Sequence, residues 1–186
     1  MIILALGVLI TSLLHLVAAF PSLKASLKAR TGERAYGPIF GLASLVGVII
    51  TIFGWRMSDF VHVYDPPEWG RHANFSLTLV AFICLGIFIF RGVLRQRLRF
   101  PLAIGVMFWA TGHLLANGDL ASIILFGGFL LYAVAHFVIA SANGIRPTTE
   151  VRKGHDLVSI IIGIALYSVM AQAHGTLIGV PVFQLS

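Results

Sequence analysis

Leu120-Ala-Ser-Ile-Ile-Leu-Phe-Gly-Gly-Phe-Leu-Leu-Tyr-Ala-Val-Ala-His-Phe-Val-Ile-Ala-Ser141 decides the fold, because this run contains no Lys, Arg, Asp or Glu. As a helix it is about 33 Å long at about 1.5 Å per residue, which matches a hydrocarbon layer of about 30 Å. Immediately before it, Asn117-Gly118-Asp119 forms a very short joint to a second apolar run that begins at Pro101. An Asn or Asp at such a joint caps the helix that follows. Two long apolar helices joined by three residues are an antiparallel pair in a membrane.

The rest of the chain repeats this pattern. Runs at roughly 2–23, 37–57, 72–90, 101–117, 120–141 and 156–174 carry no Lys, Arg, Asp or Glu in their middles. The reading is an all-α, polytopic membrane helix bundle with six transmembrane helices, residues 1–186 forming one integral membrane domain. Composition agrees: of 186 residues 58% are hydrophobic and only 11% charged, with a mean hydropathy of +0.94. A soluble domain carries about 25% charged residues. Disorder, a disulfide-stapled fold and nucleic-acid binding are excluded together, and the lone Cys84 has no intrachain partner. The stretch 1–23 has no basic segment before it and too long an apolar run for a secretory signal, so it reads as a retained first helix.

The net charge of +6 is an orientation signal. Lys24, Lys28, Arg30 and Arg34 follow the first run; Arg91, Arg95, Arg97 and Arg99 the third; Arg146, Arg152 and Lys153 the fifth. These three connections hold 11 of the 13 cations. By the positive-inside rule they face the cytoplasm of a bacterial inner membrane and both termini are periplasmic. The Arg91–Arg99 cluster reads as a membrane edge against anionic lipid, so the lipid bilayer is the first partner. Among the glycines, Gly37-x-x-x-Gly41, Gly105, Gly112 and Gly127-Gly128 are expected where helix backbones approach closely.

Seven histidines stand out in so apolar a chain. His62 and His155 read as solvated, and His72 and His174 as helix-end residues. His15, His113 and His136 lie inside spans, where an ionisable side chain usually faces a functional interior. Small residues stand three or four positions from each, which suits a flat ligand between imidazoles, as in haem b. A zinc site lacks paired ligands at short spacing. From the span ends, His15 lies about 12 Å, His136 about 8 Å and His113 about 18 Å from the inner boundary. Depth therefore leaves both His15/His113 and His15/His136 open. No hydrolase, metalloprotease, nucleotide-binding or Cys-x-x-Cys-His motif is present.

Trp109-Ala-Thr-Gly-His113-Leu-Leu-Ala-Asn117-Gly118-Asp119-Leu, Gly32-Glu33-x-Ala35-Tyr36 and His174…Leu177-Ile-Gly-Val-Pro181 resemble the NnrU family. The resemblance covers essentially the whole chain. It implies a link to nitrite and nitric oxide reduction in denitrification, and a relationship to the plant zeta-carotene isomerase, a membrane haem b enzyme. Matched to that relative, His15 and His113 are the axial metal ligands, with His136, His72 and His174 as alternates. Trp109, Ala110 and Asn117 then line the cofactor pocket, and Arg71 partners the haem propionates. The relative has a cysteine where this chain has Ala110, and His-Pro where it has Phe100-Pro101. The ligand-exchange mechanism of the isomerase therefore does not carry over.

Three functional expectations follow. The first is a haem b protein that supports denitrification by redox or nitric-oxide handling. The second is a haem-dependent cis-trans isomerase of a carotenoid-like polyene, with a long apolar tunnel opening to the bilayer. The third is a non-enzymatic membrane scaffold or maturation factor for a nitric oxide or nitrite reductase. Transport lacks support, since no span has a carboxylate in its middle.

Overall fold

The computed structural model describes residues 1–182. Its helices are α1 (Ile2–Leu16), α2 (Pro21–Thr31), α3 (Glu33–Arg56), α4 (Gly70–Ile89), α5 (Val93–Leu98), α6 (Pro101–Ala116), α7 (Leu120–Ala142) and α8 (His155–Ile178). A single 3-10 turn, Val17–Ala19, extends α1, and a π-helical segment, Ile123–Gly127, lies within α7. Among the described residues there is no strand, only an isolated bridge between His62 and Asp119.

Five helices are long and apolar enough to cross a membrane: Ile2–Ala19, Glu33–Arg56, Gly70–Ile89, Leu120–Ala142 and His155–Ile178. The sixth expected span, α6, has 16 residues and is shorter than that limit. Its length of about 24 Å falls short of the hydrocarbon thickness. Both of its flanks are built to stop it: Pro101 opens the helix, and Asn117 leaves it with extended backbone at φ −136°.

The first span also ends sooner than the apolar pattern suggests. Pro21 restricts the residue before it, and Phe20 takes φ −116°, ψ 93°. The chain breaks there, so Lys24, Lys28 and Arg30 ride on the separate polar helix α2 and not on a loop. Lys28 pairs with Glu33 at 2.8 Å across the α2–α3 joint.

The membrane helices pack in the order α3–α1–α7–α6–α4–α8. This is an arc and not a closed ring: α3 packs on α1 and α2, α8 packs on α4 and α5, and the two ends of the arc are not packed together. Small residues set the contacts. Gly7 faces Thr51 and Gly47 faces Thr11, so the α1–α3 seam is two reciprocal Gly–Thr contacts; a Cβ on Gly47 would lie 2.6 Å from Thr11 Oγ1. On α6, Gly112 sits against Asn74 and Gly105 against Ala81, as close backbone approach requires. Gly37, Gly41 and Gly127 do not behave as expected. Nothing lies within 4 Å of a Cβ on any of them. Gly37 and Gly41 fall near the start of α3, before its contact with α1.

All the cations of the three basic connections lie at one end of the arc, called here the basic end; Arg56 and Arg71 lie at the opposite end. Two small apolar clusters mark these ends. Ala19, Phe100, Ala103 and Ala140 are buried at the basic end, and Leu4, Val8 and Ala121 at the other. At the opposite end the segment 57–69 is pinned to the 117–119 joint. Val63 and Tyr64 donate backbone N–H groups to Gly118 O, and Leu120 N donates to Val61 O at 2.8 Å. Asp119 caps α7 as expected: its carboxylate accepts from Ser122 N at 2.9 Å and from Ser122 Oγ at 2.6 Å.

Candidate functional site

The helices bring the intramembrane histidines together in two tiers. His113 stacks on Phe126 with ring centroids 4.4 Å apart, while His15 meets the edges of Phe40 and Tyr132 at 5.4 and 6.3 Å. Phe126 and Tyr132 are six residues apart on α7, or about 9 Å along a helix axis. His136 shares the deeper tier: it contacts Tyr132 at 5.9 Å and Phe100 at 6.1 Å. Because α1 stops at Ala19, His15 is about 6 Å from that end and not about 12 Å. The structure therefore groups His15 with His136 at the basic end.

His113 has a different companion. That companion is His174, which lines the same cavity. The contacts of α4 give the level of each. Gly112 touches Asn74, so His113 stands level with Asn74, while Tyr167 packs on Phe82 with centroids 6.1 Å apart. Asn74 and Phe82 are eight residues apart, about 12 Å along α4. His174 is seven residues beyond Tyr167, about 10 Å, which returns it to the level of His113.

Both outer imidazoles line one cavity of about 730 Å3 on the concave side of the arc. Its walls come from α3, α4, α6, α7 and α8, with Val180, Pro181 and Val182 crossing its outer end. Gly179, at φ +87°, permits the turn that brings those three residues back. The volume is within the range of small-molecule and cofactor sites, about 300–1,000 Å3.

The histidine tautomers follow from their partners. His15 Nδ1 is 2.8 Å from Thr11 O, His113 Nδ1 is 2.8 Å from Trp109 O, and His174 Nδ1 is 2.6 Å from Val180 O. A carbonyl only accepts, so Nδ1 carries the proton in each ring and Nε2 keeps its lone pair. That is the arrangement of a metal-ligating histidine whose second nitrogen is fixed by a hydrogen bond. His136 differs: its Nδ1 is buried without a partner.

Of the residues expected at the site, Trp109, His113, Asn117, Arg71 and His174 line the cavity. Ala110 is wholly buried behind that wall. His15 and His136 are not on the lining, and His72 is exposed at the start of α4. The pairing of His15 with His113 is thus not one that the structure brings together, because the two stand at different depths. Asn117 acts on the backbone: its Nδ2 donates to His113 O at 2.8 Å, and its own carbonyl accepts from Tyr64 Oη at 2.8 Å. Tyr64 Oη also contacts Leu114 O, which ties the outer loop to the end of α6. Burial, and then the Asp119 charge, push the Tyr64 phenol above its ordinary value of 10.0.

Arg56 is the cavity residue that the sequence reading passed over. It joins Arg71 on the lining, and no Asp or Glu among the described residues lines that cavity. Its signal was present, since Arg56 and Arg71 are the only two cations away from the basic end. Arg71 also donates to Val182 O at 2.8 Å, holding the chain across the outer end. The described residues contain no group of three or more His, Cys, Asp or Glu able to hold a bare metal ion.

The family model described as NnrU protein matches residues 3–182, nearly the whole chain. The chain belongs to the NnrU family. Membership places it among denitrification-associated membrane proteins. Neither a curated protein nor a solved structure matches it. In this NnrU chain the family-like Trp109…Asp119 run contributes Trp109, His113, Ala116 and Asn117 to the cavity wall and forms the capped joint beside it.

Proposed function

We propose that this protein binds haem b in the cavity on the concave side of the arc and supports nitrite and nitric oxide reduction by redox or nitric-oxide handling. The observation that carries the reading is His113 and His174, level with each other on one cavity, each with Nδ1 fixed and Nε2 left as a donor. In this reading His113 and His174 would hold the iron, and His15 packs with His136 at the basic end. Arg56 and Arg71 would hold the propionates, since no Asp or Glu among the described residues lines the cavity beside them. Trp109 and Phe126 give the flat apolar walls that a porphyrin requires. When bound, haem b would supply reversible one-electron chemistry.

The residues of the chain do the rest. Trp109 O and Val180 O orient the imidazoles and hold the Nδ1 proton, which leaves Nε2 as the nitrogen available to a ligand. Asn117 and Tyr64 fix the end of α6, so that His113 has a rigid support. The segment 180–182 covers the outer end and limits access of water. The basic end faces the cytoplasm of a bacterial inner membrane, both termini the periplasm, and a nitric oxide or nitrite reductase is the expected partner. The test is the visible spectrum of protein purified from haem-replete cells. A Soret band is expected in the wild type and none in a His113→Ala/His174→Ala double variant. A wild type without a Soret band, or a double variant that keeps it, overturns the reading.

A further inference from the structure

The cavity continues below the histidine tier, and the proposed haem contacts leave that part unused. Its wall there is Phe82, Leu85, Leu102, Gly105, Val106 and Tyr167. All but Tyr167 are apolar. Tyr167 Oη has no hydrogen-bond partner among the described residues, although it lines the cavity inside a membrane helix. A hydroxyl left unbonded in an apolar setting is unfavourable, so its place on a cavity wall points to a ligand atom that accepts from it.

Depth limits what that ligand is. Tyr167 lies twelve residues from the start of α8 and eleven from its end, about 18 and 16 Å, so it is at mid-membrane. The carboxylate or phosphate of an acyl lipid stays at the interface and does not reach this level. An accepting oxygen that dissolves this deep belongs to a neutral lipophile. The ring of Phe82 meets Tyr167 edge-on, an arrangement that suits a flat ring beside it.

Access comes from the arc itself. α3 and α8 both contribute cavity wall but are not packed against each other, so the cavity opens sideways between them. With five helices long and apolar enough to cross a membrane, that opening faces hydrocarbon and not water.

We propose that the inner part of this cavity is a binding site for a membrane quinone, which enters between α3 and α8 and accepts a hydrogen bond from Tyr167 at a ring carbonyl. Its hydrocarbon chain runs out through the same opening. The site rests on the cavity and on Tyr167, and it stands whether or not haem occupies the histidine tier.

The experiment uses the full-length protein in nanodiscs free of native quinone, titrated with a decyl-substituted benzoquinone while tryptophan fluorescence is followed. Trp109 lines the same cavity and reports occupancy. Saturable quenching is expected, weakened about tenfold in Tyr167→Phe, the change that loss of one hydrogen bond produces. Oleate is not expected to compete. Quenching that never saturates, equal affinity in Tyr167→Phe, or displacement of the quinone by oleate or by a carotenoid hydrocarbon overturns the proposal. Haem content measured on the same samples reports separately on the haem reading.

Discussion

The two histidine tiers differ in what surrounds chemically identical groups. At the basic end His15 and His136 are wedged among Phe40, Phe100 and Tyr132, and neither lines the cavity. At the other level His113 and His174 look into open space that has two arginines at its outer end. His15 and His113 even share the same Nδ1 bond to the carbonyl four residues back. A fixed tautomer is therefore necessary for a ligand but does not identify one. A place on the cavity wall makes the difference, and only the packing of other helices creates it.

The strongest way to break this contrast is to remove one imidazole from each tier. His113→Ala is expected to abolish haem retention on purification, whereas His136→Ala retains it, as read by the pyridine haemochrome. If His136→Ala loses the haem and His113→Ala keeps it, the tiers have been assigned the wrong roles. The next largest effect separates His174 from His15. His174→Ala should lower haem affinity about tenfold or more and shift the spectrum from low spin to high spin. His15→Ala should leave both unchanged. A high-spin shift in the His15 variant instead would restore the pairing that the family resemblance implies.

A third test acts on the arc. A Cβ on Gly54 would collide with the backbone of Leu4, so Gly54→Leu should cost about 1–3 kcal/mol in thermal or denaturant unfolding in detergent. Since α3 forms one lip of the cavity, this variant should disturb the outer tier and spare the Phe100–His136 contact. Asp119→Ala, which removes the cap of α7, should cost about 1 kcal/mol in the same assay.

The smallest effect is on pH. The Tyr64 phenol has a folded pKa raised above 10.0, chiefly by burial and then by Asp119. A raised value means that the folded state holds its proton longer, so this contribution is complete below pH 10 and is lost as pH rises through the folded value. Tyr64→Phe should remove that alkaline loss, and an unfolding curve above pH 10 identical to that of the wild type would refute it.

Much of the fold is legible in the sequence, because length without charge is a property of the chain itself. Leu120–Ser141 reads as a membrane helix from its residues alone, and the α7 helix ends one residue later, at Ala142. The Asp119 cap is equally local. Helix neighbours are not local: Gly37 and Gly47 look alike in sequence, yet only Gly47 meets another helix, because the direction each faces depends on where α1 lies. The types of site residue were legible for the same reason as the spans, but their pairing was not. Depth counted from a first span ending at 23 and not at 19 displaces His15 by about 6 Å. That error is large enough to make a residue of one tier resemble a member of the other. Tyr167 gave no signal, since an isolated tyrosine in an apolar run is commonplace until a cavity appears in front of it.

The π-helical segment at Ile123–Gly127 bears on how tolerant α7 is of changes in length. A π turn holds one residue more than an α turn, so loss of one residue within this segment tightens it to regular α-helix and leaves the two halves of α7 in phase. In the regular part each residue advances the side chains by about 100°, so a deletion between Gly128 and Leu131 would swing Tyr132 and His136 away from His15 and Phe100. The segment is therefore the place where α7 tolerates the loss of a residue, a tolerance that no substitution along the helix reveals.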